Sequence, residues 1–224
     1  METLGLSPTW LSSLASKTLD SLFPPACIGC RASGFWCCQD CFQSIDFRVE
    51  APAIEGIDRV DIVGSYANPV LRRLLTSYKY RSATCLEPIL KLLLIRWMEE
   101  KNWTNVEGDW IIIPTPTDEK HILERGFDHT EHLAEIVRQV LIPNAKVVKA
   151  FRRNRRTEAN ANLHDPNMRK GNLRGSIELV EPVQGNILLV DDVVTSGATM
   201  GECAKVLRHA GVERVEGIAF ALGG

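Results

Sequence analysis

Asn186-Ile187-Leu188-Leu189-Val190-Asp191-Asp192-Val193-Val194-Thr195-Ser196-Gly197-Ala198-Thr199 is the stretch on which the fold turns. Ile187 to Val190 is a continuous apolar run, the pattern of a strand buried on both faces in a parallel sheet covered by helices. Two carboxylates follow it, then a loop of small residues, 195–199. Met200, Cys203, Ala204 and Leu207 then recur at helical spacing until Gly211 offers a C-cap. A strand, a polar loop and a helix N-terminus make an anion site, because the first-turn N–H groups are unpaired and the helix dipole favours negative charge. Thr195, Ser196 and Thr199 add hydroxyl donors. Asp191 and Asp192 repel a phosphate but accept hydrogen bonds from vicinal hydroxyls, so a ligand with a phosphate at one end and a diol nearby, such as a ribose 5-phosphate, suits both halves.

Working outward, 224 residues of which 45% are hydrophobic and 24% charged suit one α/β domain plus a small appendage. A net charge of −2 carries no basic excess pointing to nucleic acid, so such contact would need a local patch. Apolar runs such as Leu92 to Ile95 are far short of the roughly 18 residues of a membrane span. Residues 1–9 lack the basic and apolar regions of a secretory signal, so a cytoplasmic location without membrane insertion is expected. Leu11, Leu14, Ala15, Thr18, Leu19 and Leu22 suggest an amphipathic helix within 1–23. It lacks a basic face and is expected to pack on its own protein.

Segment 24–50 carries two C-x-x-C knuckles, Cys27/Cys30 and Cys38/Cys41, whose four thiolates suit a structural tetrahedral zinc. Cys37 competes with Cys38 for the third position; Cys38 preserves the knuckle spacing. A disulfide pair and free surface thiols are the other readings. Cys85 and Cys203 read as core residues on apolar helix faces. The polar stretch 45–56 reads as a hinge before the main domain, 58–224.

In that domain, 59–67 reads as a strand with Val60, Ile62 and Tyr66 inward. Asn68-Pro69 opens a helix ending at Lys79-Tyr80, and Pro88 opens another through Trp97; together these helices form a hood. Trp110-Ile111-Ile112-Ile113 is a second buried strand, ending in Pro114-Thr115-Pro116-Thr117, a stiff loop that faces the same crevice as Asp191 and can offer N–H groups to a pyrophosphate. Arg125 is a phosphate clamp or a solvated residue, and Asp128 with Glu131 resembles a capping box. A third strand is expected over 146–151. Arg152, Arg153, Arg155, Arg156, Arg169, Lys170 and Arg174 then meet only Glu158 and Asp165, which suits a basic lid closing over a polyanion or an array of nucleic-acid phosphate contacts. With strands at 177–180 and 215–221, the alternation implies an open, mostly parallel sheet with helices on both faces.

The run from Leu188 to Thr199 resembles the phosphoribosyl pyrophosphate (PRPP) signature of type I phosphoribosyltransferases. Taken with Cys27, Cys30, Cys38 and Cys41, with Lys79 and Tyr80, with Pro114 and Pro116, with Arg125-Gly126-Phe127, and with Arg169 and Asn172, the chain is similar to the ComF family. It departs from the family at Asp128-His129, where Asn-Gln is usual, and at 157–160, where Thr-x-x-Gln is usual. The resemblance implies a type I phosphoribosyltransferase-like domain and a competence-linked protein that binds PRPP with Mg²⁺ and transfers the phosphoribosyl group to a nitrogen nucleophile. Asp191 and Asp192 would hold the ribose as the catalytic pair, and 195–199 would hold the 5-phosphate. Thr115, Thr117, Arg125, Lys79 and the basic lid would hold pyrophosphate. The alternative is a non-catalytic PRPP sensor or a module binding single-stranded DNA or a competence helicase.

Overall fold

The structure is a computed structural model that describes residues 24–80, 84–103, 108–153 and 175–223. The expected helix in 1–23, and most of the basic segment including Arg155, Arg156 and Arg169, lie outside the described residues. A short helix α1 (Gln39–Gln43) carries the last cysteine of the second knuckle. Strand β1 (Arg59–Ser65) follows, then helices α2 (Pro69–Tyr80) and α3 (Glu87–Glu100), β2 (Trp110–Pro114), α4 (Glu119–Arg125) and α5 (His129–Val140). The chain continues through β3 (Lys146–Val147), β4 (Phe151–Arg153), β5 (Ile177–Leu179), β6 (Asn186–Val194), α6 (Ala198–His209) and β7 (Arg214–Leu222).

Five strands form a sheet in the order β1-β7-β6-β2-β3, and every pairing in it is parallel. The central strand, β6, runs beside β2 with Pro114 opposite Val190 and beside β7 with Val190 opposite Ile218. Because side chains alternate along a strand, the apolar run divides between two cores. Leu188 and Val190 join the hood-side cluster with Leu71, Leu74, Leu90, Leu93 and Leu133 from α2, α3 and α5. Ile187 and Leu189 join the opposite cluster with Met200, Cys203, Ala204 and Leu207 of α6. This two-sided burial is why the strand reads as continuously apolar.

Local chemistry sets the helix ends. The Asn68 side-chain oxygen accepts from the N–H groups of Val70 and Leu71 at 3.0 and 3.1 Å, with Pro69 as the first helical residue. Helix α3 buries Leu90, Leu93, Leu94 and Trp97, and the Trp97 indole donates to the Ile62 carbonyl at 3.0 Å.

Several expectations change. The strand expected over 146–151 divides: β3 joins the edge of the parallel sheet, while β4 pairs antiparallel with β5 in a separate ribbon. The segment 45–56 has no helix or strand, yet it is anchored rather than hinge-like, since Ile45 and Phe47 are fully buried in the hood-side core. Val63, not anticipated, joins that core, while Ile62 faces the other. Cys203 is buried as expected, but Cys85 lies in a short 3₁₀ turn and is exposed.

Candidate functional site

Strand β6 runs past its apolar residues, so Asp191 and Asp192 lie within the strand and not after it. Alternation sends them to different faces. Asp192, in phase with Leu188 and Val190, faces the hood: Lys79 Nζ at the end of α2 donates to its Oδ2 at 2.7 Å, and His129 Nε2 at the start of α5 lies 3.4 Å from the same oxygen. Burial pushes the Asp192 carboxyl up, but the His129 contact and the Lys79 ammonium outweigh it and hold the group well below the usual carboxylate range. Asp191 faces the α6 side. There, burial and the neighbouring Asp192 charge push its carboxyl up to about 7, although the Thr115 hydroxyl and the Asp192 N–H donate to it. Two adjacent carboxyls thus differ in proton affinity, the pattern of a site in which one stays ionised and the other can hold a proton near neutrality.

The loop after β2 is braced from α5. The Thr130 hydroxyl donates to Asp128 Oδ1 at 2.7 Å, and its Oγ1 lies 3.1 Å from the Thr115 carbonyl oxygen and 3.1 Å from the Thr117 hydroxyl. Asp128 is the N-cap of α5, accepting from the Thr130 N–H at 3.2 Å and from the Thr117 hydroxyl at 3.2 Å. Only half of the expected capping box forms, because Glu131 instead accepts from Lys149 at 2.9 Å. Lys149 also lies 3.6 Å from Asp128, so the carboxylate at 128 is spent on the cap and on that cation. Arg153, at the end of β4, donates from Nε to the Pro116 carbonyl at 3.0 Å and tethers the ribbon to this loop.

On the other side of the strand end, Gly197 caps α6 in the left-handed conformation, φ 70° and ψ 5°. A Cβ there would lie 2.8 Å from Ile54 carbons, so glycine is required by both backbone and packing. Thr195 and Ser196 are exposed at the turn, and Thr199 sits in the first turn of the helix.

Lys79, Thr115, Thr117, Arg125, Arg153, Asp191, Asp192 and Thr199 line one polar cleft of about 260 Å³ at the carboxyl ends of β2 and β6. Thr195 lines a second cleft of about 450 Å³ with Tyr66, Leu75, Thr76 and Gly223; Lys79, Asp192 and Val193 form the wall between the two. Ser196, Gly197 and Ala198 line neither of these clefts. Arg152 pairs with Glu178 of β5 at 3.1 Å and does not line them either. Pro116, in the loop expected to face this crevice, also lines the polar cleft, as do Asp118, His121, His129 and Thr130, which were not expected. His129 had a signal: it is a polar residue directly after an N-cap, on the face that begins the apolar stripe of α5. Arg125 approaches it with Nη1 3.2 Å from His129 Nδ1.

The cysteine knuckles form a compact cluster. The Sγ atoms of Cys27, Cys30, Cys38 and Cys41 all lie within 4.8 Å of one another, and those of Cys30 and Cys38 are 3.7 Å apart. A tetrahedral zinc with bonds of about 2.3 Å needs sulfur–sulfur edges of about 3.8 Å, so these four could hold such an ion. Cys37 is outside the cluster, with its thiol at the Cys38 carbonyl and its side chain against the hood-side core. Burial raises the Cys27 thiol, but the N–H groups of Cys38, Cys30 and Gly29 outweigh it and lower the group to about 6, whereas the Cys38 contact and burial hold the neighbouring Cys41 thiol well above its usual range. A Cβ at Gly29 would collide with Cys41 Sγ. The cluster is docked on the domain by Arg73, which donates to the Gly29 carbonyl at 2.7 Å, and by Arg96, which donates to the Phe42 carbonyl at 3.1 Å.

Competence protein F of Haemophilus influenzae is 27% identical to this chain over 165 residues, 71% of this chain and 70% of that protein. The DNA utilization protein YhgH of Shigella flexneri is 30% identical over 164 residues, 70% of this chain and 69% of that protein. The chain belongs to the ComF family. The Escherichia coli K12 protein of the same name, another ComF relative, is 29% identical over 164 residues. No protein-family model matches the chain. Among the described residues of this ComF protein, no helix is long and apolar enough to cross a membrane.

Proposed function

We propose that this ComF protein binds PRPP in the polar cleft and transfers its phosphoribosyl group to a nitrogen nucleophile, in the service of DNA uptake or utilisation. The observation that carries the reading is the adjacent pair Asp191 and Asp192 at the carboxyl end of a central parallel strand, followed directly by the N-terminus of α6. The carboxylates accept from the ribose diol, and the first-turn N–H groups of α6 with Thr199 take the 5-phosphate. Lys79 and the braced loop 115–117 lie where the pyrophosphate would extend. Magnesium would be carried in by the pyrophosphate of the substrate and would supply charge neutralisation for the leaving group.

In the transfer, the bond from ribose C1 to the pyrophosphate oxygen breaks and its electron pair leaves with pyrophosphate. The nitrogen lone pair forms the new bond at C1, and the nitrogen then loses a proton. Asp191 can take that proton in its ionised form, which its carboxyl, pushed up to about 7, still populates near neutrality. The second cleft, with Tyr66, Leu75 and Val193 on its walls and Asp192 at its boundary with the first, gives an acceptor a route to the ribose. Cationic character developing on the sugar is stabilised by the ionised Asp192.

The test is calorimetric titration of PRPP and Mg²⁺ into the wild type and an Asp191→Ala, Asp192→Ala double variant, followed by measurement of pyrophosphate release with candidate amines. Binding that disappears in the variant supports the assignment, and absence of wild-type binding refutes it. Binding without release for any amine favours the second reading, a PRPP-sensing module. The relatives' names, competence and DNA utilization, favour a DNA-handling context for either. A partner role toward single-stranded DNA would appear as gel-shift binding that weakens steeply with salt. The four-cysteine cluster could hold zinc, and such an ion would be structural, because four thiolates leave no open position for chemistry.

A further inference from the structure

Asp192 has an obvious partner in Lys79 and a less obvious one in His129. The imidazole is almost fully buried, at 3% exposure, and its Nε2 lies 3.4 Å from Asp192 Oδ2 without a formed hydrogen bond to any described residue. Its other nitrogen, Nδ1, lies 3.2 Å from Arg125 Nη1. A guanidinium only donates. In that contact Nδ1 is the acceptor, which leaves Nε2, beside the carboxylate, as the ring's N–H.

That arrangement matters for a polyanionic ligand. Phosphate groups entering the cleft compete with Asp192 for the Lys79 ammonium, and a carboxylate whose only donor was Lys79 would be left buried and unpaired, or would swing away with it. A neutral N–H of fixed direction is not drawn off in this way. We infer that His129 is a positioning residue: with its tautomer set by Arg125, it holds Asp192 ionised and facing the ligand's hydroxyls while Lys79 turns to the ligand's phosphates. Arg125 then acts through His129, a role that neither a phosphate clamp nor a solvated residue describes. The ligand half of this inference rests on the phosphoribosyl reading; the ring assignment does not.

The experiment has two arms. In the ligand-free protein, nitrogen–proton correlation spectra of the histidine rings, with the His129 signal identified by its loss in His129→Gln, are expected to show a neutral ring protonated on Nε2. A ring protonated on Nδ1, or on both nitrogens, overturns the inference. In the second arm, PRPP and Mg²⁺ are titrated into the wild type, His129→Leu and His129→Gln, each first shown to be folded by its thermal transition. Without the donor that Asp192 needs once Lys79 turns to the phosphates, the leucine variant should bind roughly 10- to 100-fold more weakly, the range of a hydrogen bond to a charged group. Glutamine, which restores a donor, is expected to recover most of that loss. Wild-type affinity in His129→Leu overturns the inference, as does equal weakening in both variants, which would mark a packing role. An Nε2-protonated ring together with no wild-type binding of PRPP leaves the ring assignment standing and overturns the phosphoribosyl reading instead.

Discussion

Replacing Gly197 by alanine separates two causes of strain that the cap of α6 combines. The residue sits at φ 70°, where an L side chain costs roughly 1–2 kcal/mol. Its new Cβ would lie 2.8 Å from both Cγ1 and Cδ1 of Ile54, itself buried in the α6-side core. Relieving that contact by displacing a packed side chain costs about 1–3 kcal/mol more. The sum, about 2–5 kcal/mol, lowers the thermal midpoint by roughly 5–15 °C in a chain of this size. Gly211 is the internal reference: its φ is 90°, but a Cβ there meets nothing within 4 Å, so Gly211→Ala carries the backbone cost alone. Thermal and denaturant unfolding of both variants is the assay, repeated in an Ile54→Ala background. That background removes the colliding carbons, so the increment from Gly197→Ala should shrink there to the Gly211 value. Equal losses for Gly197→Ala and Gly211→Ala, or an increment that ignores Ile54, would refute the steric half of the argument.

Two further outcomes follow from the acids and the cysteines. The Asp191 carboxyl is pushed up to about 7 in the folded protein and titrates near 3.9 when unfolded, so its contribution to stability is full below about pH 4 and is lost as pH rises through 7. Asp191→Asn, which cannot ionise, should therefore gain on the wild type by up to about 1.4 kcal/mol for each pH unit across that window. Its thermal midpoint should match the wild type near pH 4 and exceed it most at pH 8; a difference independent of pH would refute this. At the cysteine cluster, Cys38→Ser should lose bound zinc and lower the thermal midpoint, whereas Cys37→Ser should keep one zinc per chain, because only Cys38 Sγ lies within the cluster. Metal analysis of the purified variants decides it, and zinc loss in both would mean that Cys37 takes part.

Much of the architecture could be read from the sequence because its strongest signals are local. The run from Ile187 to Val190 is apolar at every position because the strand is covered on both faces. Asn68-Pro69 caps its helix through two short hydrogen bonds that depend on no distant partner. The expectations that changed depend on distant partners. Phe151 to Arg153 looks like a continuation of the preceding strand, and only its pairing with Ile177 to Leu179 takes it out of the parallel sheet. Residues 45–56 look like a linker because Ile45, Phe47 and Ile54 have no periodic neighbours, although all three are buried. At the cleft, the acids and the loop after β2 were legible as types. That Lys79, 113 positions from Asp192, would reach it at 2.7 Å was not, because that contact exists only once α2 packs on the sheet. His129 stands out in the sequence as a departure from the family and as a polar residue directly after an N-cap, but its place beside Asp192 depends on burial and on Arg125, which local sequence does not carry.

The alternation of β6 has a consequence for how such a cleft can diverge. Asp192 takes its electrostatic setting from α2 and α5, while Asp191 takes its setting from the side of the sheet covered by α6 and from the loop after β2. The two acids are neighbours in sequence but tenants of different floors. Substitutions in the hood act on Asp192 directly and reach Asp191 only through the Asp192 charge, so a change at Lys79 or His129 retunes the two carboxyls by different routes.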